Sequence, residues 1–140
     1  MGFSRTKHSG TETYPTPEHV VQSLLESLVK EQRGWAHFEW REHQGWLKNA
    51  FRKIPPFVEV CYEGDSQFEL NLGLPSSVKD SVSHCTSKGM SVPDSWDNAK
   101  HGMMIQVDEI ETLTQWILEY FVKVYECPEE FHLNGWLDGL

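Results

Sequence analysis

FVEVCYEGDSQFELNLGL, residues 57–74, is the stretch whose reading decides the fold. In its first half Val58, Val60 and Tyr62 share one face, and Glu59 and Cys61 share the other. In its second half Phe68, Leu70 and Leu72 alternate with Gln67, Glu69 and Asn71. A period of two places successive side chains on opposite faces of a strand. Gly64-Asp65 supplies turn chemistry between the runs, so the stretch predicts a β-hairpin. One face is apolar enough to lie under helices, and the other is acidic and wet. The hairpin is scaffold on the first face; on the second, the sheet surface is a candidate working surface.

Upstream, Thr16 as N-cap, Pro17 at the first helical position and Glu18 in the first turn open a helix. Val20, Val21, Leu24, Leu25, Leu28 and Val29 form its apolar stripe, and Gly34 stops it. WAHFEWRE (35–42) then alternates, with Ala36, Phe38 and Trp40 on one face and His37, Glu39 and Arg41 on the other, which predicts a half-buried strand. HQGWLKNAFRKIPP (43–56) fits a short amphipathic helix through Trp46, Leu47, Ala50, Phe51 and Ile54, ended by Pro55 and Pro56.

Downstream of the hairpin, Ser77 with Asp80 reads as a capping box, and Gly89 as a terminator. MSVPDSWDNAKHG (90–102) is rich in turn formers, and MMIQV (103–107) is a short strand. Asp108 and Glu111 open the last helix, which carries Ile110, Leu113, Ile117, Phe121 and Val124 on one stripe and ends at Cys127-Pro128. Phe131, Leu133 and Trp136 in the tail are apolar anchors expected to fold back onto the body. The order α, β, (α), β, β, α, β, α predicts an α+β fold, a twisted antiparallel sheet of three to five strands covered by two or three helices. Residues 1–15 read as a flexible polar leader and 16–140 as one domain.

Composition narrows the function. The chain has 140 residues and a formal net charge of −9. Residues 1–56 sum to +2 and residues 57–140 to −11. An acidic body argues against nonspecific nucleic-acid binding, which needs clustered cations, and suits a basic protein partner. No apolar run approaches the about 20 residues that span a bilayer. The first residues lack the apolar core of a secretory signal. Cys61, Cys85 and Cys127 are odd in number and far apart, so no disulfide framework is expected and a cytoplasmic setting is.

The motifs of catalysis are missing: CxxC, HxxxH, HExxH, GxSxG and GxGxxG do not occur, so no metal or cofactor is expected. Ser83-His84-Cys85 has the residue types of a nucleophilic site, but adjacent side chains on a helix diverge. An enzyme would have to use the Trp96 loop with Asp94, Asp97 and His101. A nucleic-acid binder would use the stretch 41–53, where Arg41, Lys48, Arg52 and Lys53 interleave with Trp46 and Phe51 after Trp40. The leading expectation is a non-catalytic protein-binding module, a chaperone or adaptor for one client. An acidic inhibitor, or immunity protein, that blocks a toxin or defence enzyme is the alternative. The expected partner-binding residues are Glu59, Glu69 and Asn71 on the outward sheet face, with Trp40, Trp46 and Phe51 as the competing aromatic anchors.

Across FVEVCYEGDSQFELNLG, SSVKDSVSHCTSKGMSVPDSW and MIQVDEIETLTQWILEYFVKVYECP, the order of elements resembles type III secretion chaperone-like (TY-Chap) domains. The likeness covers about residues 57–128 and lies in pattern, with Gly89-Met90-Ser91-Val92-Pro93 at the step after the short helix and Leu113 to Tyr125 in the closing helix. Met90 stands where members often carry an aromatic. The resemblance implies helices on a twisted antiparallel sheet and a non-catalytic role in holding a protein client, often as a homodimer. It carries no catalytic residue with it. A bacterial or phage origin would fit such a role.

Overall fold

The structure, a computed structural model, describes residues 15–40, 56–75, 77–99 and 102–140. Its elements are α1 (Pro17–Glu31), β1 (Trp35–Trp40), β2 (Phe57–Gly64), β3 (Gln67–Asn71), α2 (Ser81–Ser87), β4 (Asp97–Asn98), β5 (Gly102–Gln106), a 3₁₀ turn (Val107–Glu109), α3 (Ile110–Lys123) and β6 (Leu133–Asp138). The strands make one sheet in the order β4-β5-β3-β2-β1-β6, and every pairing is antiparallel. The α+β class expected from the sequence is what forms. Among the described residues there are six strands, above the expected three to five, because the tail and the Trp96 loop each add one.

α1 begins as the sequence dictates: Thr16 Oγ1 accepts the His19 N–H at 3.2 Å. It ends at Glu31, before Gly34, because Gln32 takes the left-handed conformation (φ 54°) while its N–H donates to the Leu28 carbonyl at 2.8 Å. Val20, Val21, Leu24, Leu25 and Leu28 are buried, as their spacing predicts. α1 packs on α3 and on β6, β1 and β2.

The hairpin is where the alternation places it, with Val60 opposite Leu70 and Cys61 opposite Glu69. Its turn lies one residue beyond Gly64-Asp65. Asp65 and Ser66 both have positive φ (51° and 57°), the pairing that a type I′ turn requires. A register shift between Tyr62 and Gly64 absorbs the difference.

α2 starts later than Ser77. Asp80 is itself the cap and accepts the Ser83 N–H at 3.0 Å, which holds its carboxyl below the usual carboxylate range. α3 has no side-chain cap at its start, since residues 107–109 form a 3₁₀ turn where the Asp108–Glu111 box was expected. The expected helix within 43–56 lies outside the described residues.

The core fills one side of the sheet. Ala36, Phe38, Val58, Val60, Phe68, Leu70, Met103 and Ile105 point from the strands into a layer shared with α1 and α3. At its far end an aromatic run links loop to helix: Trp96 meets Trp116 edge-on at 5.3 Å, Trp116 stacks on Tyr120 at 5.3 Å, and Tyr120 meets Tyr125 at 5.2 Å. Gly135 shows how close the layers lie. A Cβ there would come within 2.8 Å of Val20 Cγ1 and 2.9 Å of Leu24 Cδ1, so only glycine lets α1 settle onto β6.

Candidate functional site

The other side of the sheet is a grid fixed by the register. One row runs Asp138, Trp35, Cys61, Glu69, Met104 and Asp97; the next runs Trp136, His37, Glu59, Asn71 and Gly102. Below them Asn134, Glu39 and Phe57 are paired. These residues are half-buried or exposed, except that Glu39 and Gly102 are buried. The six strands contain the carboxylates of Glu39, Glu59, Glu63, Glu69, Asp97 and Asp138 and neither a Lys nor an Arg.

His37 is the hub. Its Nε2 lies 3.2 Å from Glu39 Oε1 and its Nδ1 lies 3.2 Å from Glu59 Oε2. A neutral imidazole carries one N–H, so only the doubly protonated ring donates to both carboxylates. The ring is also sandwiched, stacked on Phe57 at 5.2 Å and on Trp136 at 4.3 Å, with Trp35 edge-on at 6.4 Å. Aromatic cross-strand neighbours of this kind rigidify a sheet face. Trp136 is 43% exposed, and it and Leu140 are the exposed large apolar residues among those described.

The expected partner-binding residues divide. Glu59, Glu69 and Asn71 do stand on the outward face, and Glu59 is directly opposite Asn71. Glu59 is tied to His37, so it is less a free surface charge than its pattern implied. Asn71 caps the strand end, its Oδ1 accepting the Gly73 N–H at 2.8 Å. Trp40 belongs to the core at 8% exposure, because it falls on the same face as Ala36 and Phe38; it is not an exposed anchor. Trp46 and Phe51 lie outside the described residues, as do all four basic residues of the stretch 41–53. Trp136, expected as a core anchor, is on the outward face instead, while Phe131 and Leu133 are buried at 7% each. The signal was there in the tail: Leu133, Gly135 and Leu137 alternate with Asn134, Trp136 and Asp138.

In the Trp96 loop the indole turns inward. Trp96 is 3% exposed and packed on Trp116, so it is core and not an exposed ring between two carboxylates. Asp94 and Asp97 are exposed, and His101 lies outside the described residues. Cys61 and Cys85 are poor nucleophiles, each thiol pushed up to about 11, Cys85 by burial and Cys61 by burial and then by Glu63, Glu69 and Glu59.

Among the described residues no group of three His, Cys, Asp or Glu is arranged to hold a metal ion. Two open depressions, about 440 and about 330 Å³, lie along the acidic start of α3, the first lined by Glu111, Thr112, Gln115, Trp116 and Glu119. No described helix is long and apolar enough to cross a membrane. No protein-family model, curated protein or solved structure significantly matches this chain.

Proposed function

We propose that this chain is a non-catalytic protein-binding module, a chaperone or adaptor for one basic client, and that it docks that client on the outward face of its sheet. The observation that carries the reading is the composition of that face: six strands with carboxylates and no Lys or Arg, and an exposed Trp136 among them. Exposed aromatics supply binding energy at interfaces, and a single sign of charge speeds encounter with a partner of the other sign. The chaperone part of the reading draws on the resemblance to TY-Chap domains. An inhibitor that occupies the basic cleft of a toxin or defence enzyme would use the same surface.

The test is binding of the product of the adjacent gene, purified and titrated against this protein. Glu69→Lys with Asp138→Lys removes outward charge without breaking the His37 contacts, and is expected to slow association several-fold at low salt and less at high salt. A Trp46→Ala variant examines the competing anchor. An unchanged association rate for the double reversal at low ionic strength would refute the sheet-face reading. A toxin as the bound neighbour selects the inhibitor reading; a secreted effector selects the chaperone.

A further inference from the structure

We infer that the outer ring face of Trp136 is a receptor for an arginine side chain of the partner, with Asp138 as the carboxylate that receives the guanidinium. The inference deepens the docking reading above and rests on it. Among the described residues β6 is an edge of the sheet, with β1 as its neighbour. On the β1 side, His37 covers one face of the indole at 4.3 Å with an interplanar angle of 24°. The 43% exposure of Trp136 therefore falls on the opposite face and the ring edge, which no described strand flanks.

The ring is also held. Its directly opposed neighbour is His37, and His37 is fixed through Glu39 and Glu59 on either side. An indole clamped on one face and open on the other is a platform on which a planar cation can stack. Asp138 stands two residues along the same face, about 7 Å away at the rise of a strand. It is exposed, and its Oδ1 accepts the Gly139 N–H at 2.8 Å, which orients the carboxylate.

Arginine is favoured over lysine by shape. Guanidinium is planar, stacks on an aromatic ring while its N–H groups donate in plane, and is weakly hydrated; an ammonium is a compact, strongly hydrated point charge. Glu39 and Glu59 both lie 3.2 Å from the His37 ring, on the inner side of this edge, so Asp138 is the carboxylate placed to meet a newcomer here.

The experiment uses the full chain labelled with ¹⁵N and three capped peptides, identical except for one central residue: arginine, lysine or citrulline. Citrulline keeps the planar shape and removes the charge. With the arginine peptide, the Trp136 indole N–H and the Asp138 amide are expected to shift together. The lysine peptide should bind several-fold more weakly, and the citrulline peptide should leave both signals in place. Trp136→Leu identifies the indole signal and should abolish the response; Asp138→Asn should weaken it, and tests the pairing without touching the ring stack. Equal shifts from the citrulline peptide, or an arginine response confined to other residues, would overturn the inference. If the partner protein still binds and responds to Glu69→Lys with Asp138→Lys while the arginine peptide leaves Trp136 untouched, the docking reading stands and the arginine receptor does not.

Discussion

The hydroxyl of Tyr125 lies 2.9 Å from the carbonyl oxygen of Phe57, a contact that bridges 68 residues of chain. The same hydroxyl is 3.1 Å from the Leu72 carbonyl, so one O–H is shared between the start of β2 and the end of the hairpin. Tyr125→Phe keeps the ring and loses the donor. It should cost about 1 kcal/mol, and up to about 3 kcal/mol where the carbonyls find no water, read as a lower urea midpoint.

The same residue sets an alkaline limit. Burial pushes the Tyr125 hydroxyl up from 10.0 to about 12 in the folded chain. The folded state holds this proton more tightly than the unfolded one, so the contribution is intact below pH 10 and is lost as pH rises through about 12. Wild type should lose stability across that window more steeply than Tyr125→Phe. Tyr120, also pushed up by burial and then by Tyr125, stays in both proteins, so the difference between the two curves reports Tyr125 together with its coupling to Tyr120. Parallel curves from pH 10 to 12 would contradict this account.

Gly135 and Trp136 are neighbours with opposite sensitivities. Gly135→Val drives its side chain into Val20, Leu24 and Phe38 and should cost about 1–3 kcal/mol, as overpacking does. Trp136→Ala removes a half-exposed cross-strand partner of His37 and should cost about 1 kcal/mol or less. Thermal melts of the two variants check the order; the reverse order would mean the faces of β6 are exchanged.

Leu24→Ala and Ile117→Ala empty the layer between the helices and the sheet, where the two residues are 2% and 0% exposed. Each is expected to lower stability by about 2–5 kcal/mol in chemical denaturation. Little movement in either midpoint would place the apolar stripes elsewhere.

Cys61, Cys85 and Cys127 form no disulfide, and the last two are buried. With Cys61 and Cys85 held as thiols at neutral pH, labelling by an aromatic disulfide should be slow in the native protein and fast in denaturant. Reductant should leave the melting temperature unchanged. Rapid native labelling of Cys61 would show that its surroundings are wetter than the sheet face described.

Much of this was readable along the chain because the signals are local. The α1 stripe, its Thr16 cap and the alternation of residues 57–72 each depend on neighbours within a few positions, and periodicity reports those directly. The two helix starts misread as capping boxes failed for a local reason too: Asp80 outcompeted Ser77, and a 3₁₀ turn pre-empted Asp108. What stayed hidden depends on distant pairing. Nothing near His37 announces that Trp136 stacks on it, because that contact exists only through the β1–β6 ladder. Trp40 is a candidate anchor by aromatic character, whereas the face of β1 that it shares with Ala36 and Phe38 buries it, and the burial of Trp96 is set by the distant Trp116.

The place of β6 in the sheet has a temporal consequence. β1 is made early and pairs on one side with β2, which follows soon after; its other side waits for residues 133–138. Until those residues are synthesised, the far side of β1 has no described strand to pair with, Val20 and Leu24 lack the Gly135 backbone they pack on, and His37 lacks its indole cover. Such long-range closure slows folding, since the loop entropy must be met before the contact forms. A chain clipped before Leu133 would therefore lose Trp136 from the outward face of its sheet and at the same moment expose a strand prone to pairing with other chains.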